Sequence, residues 1–539
     1  MKESLSSGDS VLRSSLKLLA VLAFAALILA IPAGRRPFWS SDEARFALLA
    51  QDILDHGRWF VPELRGQFYL NKPQLYFWSI ALVSIPVGRV TELTAAIPSL
   101  ISAVAGVAGV IANGQLLWGW RAGLLAGLIL ATTPMYFGLG HQVLADVMLN
   151  AWMIWALYFL LRTRRTSWSS APLFGFYACV GGAVASKGPE GFAALGAAMV
   201  VTLMTGGLRG LGRLRPGRGL AMLVVLSLPW LVPYLVLSRG SFISDVLVGH
   251  YVTWYFRGGV IARLLHMATA FSNFLPWSVF LVGAVFWWRR APDEGRRWVG
   301  AWTLTLWVLL GLSGSQRARY LLPVFPGLAL LTAEFLALGP TRGGQRALRL
   351  ASTVFCGVAL ALAAAIASPL VRLVSGEDRA FVPDTLWEQA LIAGLVTTAA
   401  AAVALAARRG AFTIAAVGAA VSVGILLAVV GATYPPRYAR HFDVRPLAAV
   451  AASHTPADGV VIGHPDLRLS YDFYLRRRVV EIGAPDAVAR KLAAPSRGVL
   501  ITTRERWAAL APRTLPSWRV LAAGFVADRE MVVVGSDPR

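Results

Sequence analysis

The chain is short of charge, of cysteine and, above all, of lysine. Only 15% of its 539 residues are charged, while 56% are hydrophobic, and the mean hydropathy is +0.60. A soluble domain of this size has no use for so much apolar surface. The two cysteines, Cys179 and Cys356, both fall inside apolar runs and read as inert core thiols, so cysteine says little about redox compartment. There is no Gly-rich phosphate loop, no serine-nucleophile motif, no internal repeat and no low-complexity tail. Those absences set aside a nucleotide-dependent enzyme and weigh against a transporter built from repeats. Lysine is the sharpest shortage, with five residues against 46 arginines.

What the chain has instead is apolar sequence. Twelve apolar runs recur between 14–33 and 411–433, among them 122–138, 143–161, 219–238 and 274–288. Many exceed the roughly 18 residues that suggest a membrane-spanning helix. With the segment near 171–186 the runs predict about thirteen spans. A retained first span fits 14–33 better than a cleaved leader, because the run is long and no A-x-A site follows. The net charge of +23 could suggest nucleic acid, but its distribution says otherwise. Arginines crowd alternate loops, such as Arg162, Arg164 and Arg165, then Arg209, Arg213, Arg215 and Arg218, then Arg289, Arg290, Arg296 and Arg297. That is the positive-inside pattern, and it puts the N-terminus in the cytoplasm and the C-terminus outside.

Three parts follow from this: a membrane region over residues 1–433, a polar linker at 434–442, and a less hydrophobic tail. In the tail, strand-like stretches at 459–463, 477–483, 497–503 and 530–536 alternate with helical ones at 445–454 and 486–494. That alternation predicts a small extracytoplasmic α/β domain over 434–539. The first external loop, 35–92, holds Ser40 and Glu43 at capping-box spacing. A stripe of Phe46, Leu49, Ala50, Ile53 and Leu54 follows, as in a helix lying on the membrane surface. Short extended pieces around a turn are expected at 57–78, with another interfacial helix from about Gln74.

Two acids stand out. Asp42 sits beside the cap, and Asp146 sits near the outer end of the fourth predicted span. An ionised Asp within a span costs at least ~2.5 kcal/mol, so it ordinarily faces a cavity or a partner. Two carboxylates flanking a polar cavity suit base catalysis on an acceptor hydroxyl. Apart from the N-terminal tail and Lys491, the lysines are Lys72 in "YLNKPQLYFW" and Lys187 in "VASKGPEGF". In so arginine-biased a chain, a retained lysine suggests a compact point charge, such as a phosphate ligand. A snorkelling lysine is the plainer alternative. Arg45 lies at i, i+3 from Asp42. Tyr69, Arg257 in "GHYVTWYFRGG", and Arg319 with Tyr320 complete a basic, aromatic-lined site suited to a lipid phosphate. His141, His250 and His266 lack ligand spacing, and no metal site is expected.

The stretches "SDEARFALLAQDILDHGRWFVPELRGQFYLNKPQLYFW", "LADVMLNAW", "ASKGPEGF", "LPWLVPYLV" and "SQRARYLLPVFPGLALL" resemble the aminoarabinose transferase and protein O-mannosyltransferase group of GT-C glycosyltransferases. The aminoarabinose transferase branch is the closer, and the match runs through most of 36–335. The resemblance implies a polytopic α-helical membrane protein with a C-terminal periplasmic domain. It implies inverting transfer from a polyprenyl-phosphate sugar to a lipid or glycan acceptor outside the bacterial cytoplasmic membrane. By similarity Asp42 and Asp146 match the two acids of the catalytic site, and Lys72 matches the lysine near the lipid phosphate. Arg257 and Tyr320 fall where other lipid-phosphate contacts are expected. Departures are Asn71, where an acid is common, Ala96, where an Arg is common, and Gln316, where a Lys is common. No cofactor and no nucleic-acid partner are expected, a divalent metal is not indicated, and the chain is expected to be a monomer. A lipid-linked sugar flippase and a protein O-glycosyltransferase are the alternative functions.

Overall fold

The computed structural model describes residues 2–240, 244, 248–249, 251–289, 293–314, 316–369, 373–374, 382–493, 498–511 and 518–536. His250 lies outside them. The chain begins with α1 (Lys2–Ala30) and then α2 (Ser41–His56). A two-residue hairpin, β1 (Glu63–Leu64) and β2 (Gln67–Phe68), precedes α3 (Leu75–Ser84). The helical bundle continues with α4 (Glu92–Trp118), α5 (Trp120–Ala131), α6 (Pro134–Gly140), α7 (Ala145–Arg165) and α8 (Ser170–Lys187). Next come α9 (Ala193–Arg213), α10 (Pro216–Leu237), α11 (Thr253–Phe256), α12 (Val260–Asn273), α13 (Ser278–Trp288) and α14 (Glu294–Gly311). The bundle closes with α15 (Phe325–Leu338), α16 (Gln345–Ala367), α17 (Leu386–Arg408) and α18 (Phe412–Arg440).

This is a polytopic helical membrane protein. Among the described residues seven helices are long and apolar enough to cross a bilayer, or nine if two bent pairs count as one span each. The bent pairs correct the sequence reading. The run 122–138 is not one helix, because the chain turns by 67° between α5 and α6, where Thr132 and Thr133 stop α5 and Pro134 starts α6. The run 274–288 is the second arm of a 99° bend whose first arm is α12. The polar stretch 434–440 continues α18 through Pro435 and Pro436 rather than forming a free linker.

Beyond α18 lies a mixed five-stranded sheet in the order β4-β3-β5-β7-β6. Its elements are α19 (Arg445–Ser453), β3 (Val460–Gly463), α20 (Ser470–Leu475), β4 (Val479–Glu481), α21 (Pro485–Ala493), β5 (Gly498–Thr503), α22 (Arg504–Leu510), β6 (Trp518–Val526) and β7 (Arg529–Ser536). Strand β3 runs parallel to β4 and β5, with Val461 opposite Val479 and Val499. Strand β7 is antiparallel to β5 and β6. Strand alternation separates two cores. Val461, Val499, Ile501 and Val533 pack with α19 and α20, whereas Ile462, Leu500, Val532 and Val534 pack with Val488, Trp507 and Leu510 of α21 and α22. Four of the strands fall where the sequence placed them. The fifth, β6, escaped because Ala522, Ala523 and Gly524 blunt its alternation.

Helix α2 is the element that matters for the site. Ser40 Oγ accepts from the Glu43 N–H at 3.2 Å, and Gly57, at φ +66°, ends the helix with its N–H on Ile53 O. The face carrying Phe46, Leu49, Ala50 and Ile53 is buried, with Phe46 against the rings of Tyr76 and Phe77. Glu43 does more than cap. It is 1% exposed, and its carboxylate accepts two hydrogen bonds from Arg36, at 2.7 and 3.0 Å, and one from Val143 N–H at 3.3 Å. It therefore ties the start of α2 to the segment leading into α7. The α/β unit holds the same loop from above. Arg468 donates to Trp39 O, Phe38 N–H donates to the Tyr474 hydroxyl at 3.0 Å, and Tyr474 in turn donates to Glu92. Arg65 clamps Asp472 through Nε and Nη2, the latter at 2.5 Å, and also pairs with Glu481.

Asp472 is only 4% exposed, so removing its cation strands a buried charge. Arg65→Ala is expected to weaken docking of the α/β unit by ~3–5 kcal/mol. Limited proteolysis checks this: cleavage at the 441–444 turn should accelerate while the helical core stays protected.

Candidate active site

The site gathers charged side chains from five stretches that are far apart in sequence. Asp42, in the first turn of α2, accepts hydrogen bonds from Arg45 at 2.6 Å, Arg319 at 2.6 Å and Arg317 at 3.1 Å. Arg45 reaches it at the i, i+3 spacing visible in the sequence. Arg317 and Arg319 arrive on the irregular turn and short helix that lead into α15. Burial alone would push the Asp42 carboxyl up. The hydrogen bond and charge of Arg319, joined by Arg45 and Arg317, outweigh that and hold it below its usual value.

Asp146 sits in the first turn of α7 and is 4% exposed. Lys187, at the end of α8, donates to its Oδ1 at 2.9 Å. The Lys187 ammonium also lies 4.1 Å from the centre of the Tyr320 ring. Arg319 stands near that ring too, at 5.7 Å, and feels the charge of Asp146 as well as that of Asp42. The Tyr320 ring, flanked by Lys187 and Arg319, thus joins the two ion-paired acids.

Lys72 joins from the first loop. Its ammonium is 3.7 Å from Glu190 and 4.8 Å from the Tyr251 ring centre, and Lys187 approaches the same Glu190 at 3.9 Å. The loop that carries Lys72 is fixed from outside. The Tyr234 hydroxyl reaches Lys72 O and Tyr69 O, and the Tyr251 hydroxyl donates to Asn71 O at 2.7 Å. Gly188, at φ +112°, is required here, because a Cβ would fall 2.6 Å from the Tyr251 hydroxyl. Tyr69 stands near Arg45, Lys72 and Asp42, with its phenol kept neutral by burial.

The structure therefore brings together Asp42, Asp146, Arg45, Tyr69, Lys72, Lys187, Arg319 and Tyr320. Arg257 stands apart as an exposed side chain at the end of α11. Its loop nevertheless touches the turn before Arg317, where Gly314 N–H donates to Tyr255 O. Sequence reasoning missed Arg36, Glu190, Tyr251 and Arg317. Glu190 could have been found from its i, i+3 spacing to Lys187. Tyr251 and Arg317 lie inside motifs already singled out for other residues. No group of three or more His, Cys, Asp or Glu side chains suited to a metal occurs among the described residues. His141 and His266 are each buried.

A family model described as dolichyl-phosphate-mannose-protein mannosyltransferase matches residues 71–237. The chain is 26% identical to an undecaprenyl phosphate-alpha-4-amino-4-deoxy-L-arabinose arabinosyl transferase of Pectobacterium carotovorum, over 66% of this chain and 65% of the relative. It is also 26% identical to the enzyme of the same name from Aeromonas salmonicida, over 67% and 68%. The chain thus spans about 65% of the length of the first of these relatives. The crystal structure of ArnT from Cupriavidus metallidurans bound to undecaprenyl phosphate superposes with a TM-score of 0.79 at 21% identity, over 97% of this chain and 99% of that one. The chain shares the fold of that structure. Within this fold the Asp42 and Asp146 cluster lies at the rim of the bundle that the α/β unit covers, since α2 packs against α20.

Asp146 and Lys187 are both nearly buried, so each depends on the other. Lys187→Met alone is expected to cost ~3–5 kcal/mol of stability, and Asp146→Leu with Lys187→Met to recover most of it. Thermal unfolding in detergent checks the cycle. Additive losses would mean that the two residues do not rely on each other.

Proposed function

We propose that the chain is a membrane glycosyltransferase of the bacterial inner membrane. It moves a sugar from a polyprenyl-phosphate-linked donor to a lipid or glycan acceptor at the outer face, with inversion. The convergence of Asp42, held by Arg319, and Asp146, held by Lys187, around the Tyr320 ring and beside Lys72 carries this reading. The names of the curated relatives and the undecaprenyl phosphate bound to the Cupriavidus metallidurans protein support the donor class. We further infer that α1, α7, α8 and α14 cross the membrane beside the nine candidate spans. On that topology residues 1–433 form the catalytic membrane domain, and the α/β unit is periplasmic.

The chemistry follows from the charges. The donor is a phosphodiester, and cleavage of its sugar bond leaves a second negative charge on the phosphate. Lys72 and the arginines of the Asp42 cluster supply positive charge fixed in advance at that point. In this structure Arg317 and Arg319 pair with Asp42. A carboxylate held by three arginines is a weak base. When donor phosphate takes Arg317 or Arg319, Asp42 loses a partner and its proton affinity rises. It then accepts the proton of the acceptor hydroxyl as that oxygen attacks the anomeric carbon and the lipid phosphate leaves. Asp146 holds Lys187 and, through charge, Arg319 in place. Glu190 does the same for Lys72, and Tyr69 and Tyr320 line the path between them.

Transfer from a polyprenyl-phosphate sugar by the purified protein tests the reading. Asp42→Asn is expected to abolish transfer while the protein stays folded in the membrane, and near-normal turnover would remove Asp42 from the catalytic list. Lys72→Met is expected to raise the donor KM by about tenfold or more, the weight of one charge-assisted phosphate contact.

A further inference from the structure

The α/β unit carries a cavity of about 260 Å3 that none of the Asp42 cluster lines. It opens at the carboxyl ends of β3 and β5, which are neighbouring parallel strands. The chain leaves those two strands toward opposite faces of the sheet, since α20 belongs to one core and α22 to the other. A crevice forms at such a point in open α/β sheets, and ligands seat there.

The lining is basic. Arg506 donates two hydrogen bonds to Asp466, at 2.8 and 2.9 Å, and Arg529 approaches the same carboxylate at 3.8 Å. His464 bonds it at 2.6 Å, and Arg468 lines the cavity as well. One carboxylate is thus approached by two arginines and a histidine, with Arg468 on the same lining, which leaves positive charge in surplus. Tyr471 adds an independent sign. It lines the cavity and is fully buried, yet its hydroxyl has no hydrogen-bond partner among the described residues. A buried hydroxyl without a partner is costly, so one is expected to arrive with a ligand. Arginine forks and hydroxyls around one point suit an anion with several oxygens.

We propose that this crevice binds a phosphate group, free or as a small monoester, with Arg506 and Arg529 on its oxygens and the Tyr471 hydroxyl donating to it. The proposal stands on the α/β unit alone and does not rest on the transferase reading. The lining segment also reaches the catalytic loop. Arg468 donates to Trp39 O, three residues before Asp42, so an occupied crevice stiffens the support of α2.

Equilibrium dialysis of the full-length protein in detergent against radiolabelled inorganic phosphate tests the site. The wild type is expected to bind saturably, and Arg506→Gln with Arg529→Gln to bind about tenfold more weakly. Tyr471→Phe is expected to weaken binding by a smaller factor and to raise the melting temperature without phosphate, since it removes an unpartnered hydroxyl. Lys72→Met is expected to keep the binding component that Arg506→Gln with Arg529→Gln removes. Competition by glycerol phosphate at lower concentration than inorganic phosphate marks a monoester as the ligand, and the reverse order marks free phosphate. No saturable binding, binding lost only in Lys72→Met, or binding equal in wild type and the Arg506 and Tyr471 variants would overturn the proposal.

Discussion

Charge buried at the edge of an apolar bundle persists only when it is matched, and the rim of this protein is organised by that requirement. Asp146 has Lys187, Glu43 has Arg36, and Asp42 has three arginines. Asp146 with Lys187, and Asp42 with Arg317 and Arg319, join segments far apart in sequence, so the pairing that makes the charges tolerable also sets the geometry of the rim. Breaking a pair would leave an isolated ion in a poorly solvated place. The pairs therefore serve less as sources of stability than as constraints on where α2, α7 and α8 meet.

The same requirement explains how a site can be assembled before any donor arrives. Cations suited to a phosphate are held in position by carboxylates that the phosphate can replace. Such a site pays little reorganisation on binding, because the exchange swaps one anion for another at the same guanidinium. The α/β unit contributes from the other side. Through Arg468, Tyr474 and the Arg65–Asp472 clamp, it fixes residues 36–43 and hence the first turn of α2. Docking and the Asp42 cluster are parts of one construction.

Much of this could be read from the sequence, for physical reasons that differ between residues. Asp42, Asp146, Lys72 and Lys187 were visible because each is a rare residue type for its surroundings: an acid beside or within an apolar run, or a lysine in an arginine-rich chain. The capped amphipathic helix α2 and four of the five strands were visible through local spacing. Three features were not. Bends at α5–α6 and α12–α13 leave hydropathy almost unchanged, so a continuous apolar run hides them. Glu43 looked like a cap because its neighbours in sequence explain it, whereas its partners Arg36 and Val143 depend on tertiary packing. Glu190 and Arg317 gain their roles only when other chain segments arrive. Local pattern reveals which residues are unusual, and long-range packing decides what they touch.

The exchange of partners at Asp42 is the centre of the proposed mechanism. A cryo-electron microscopy structure of the protein with a polyprenyl phosphate bound would examine it most directly. The phosphate is expected within hydrogen-bond reach of Lys72 and of Arg317 or Arg319, with Asp42 released from that arginine. A phosphate seated away from Lys72, or an Asp42 still held by all three arginines, would contradict it.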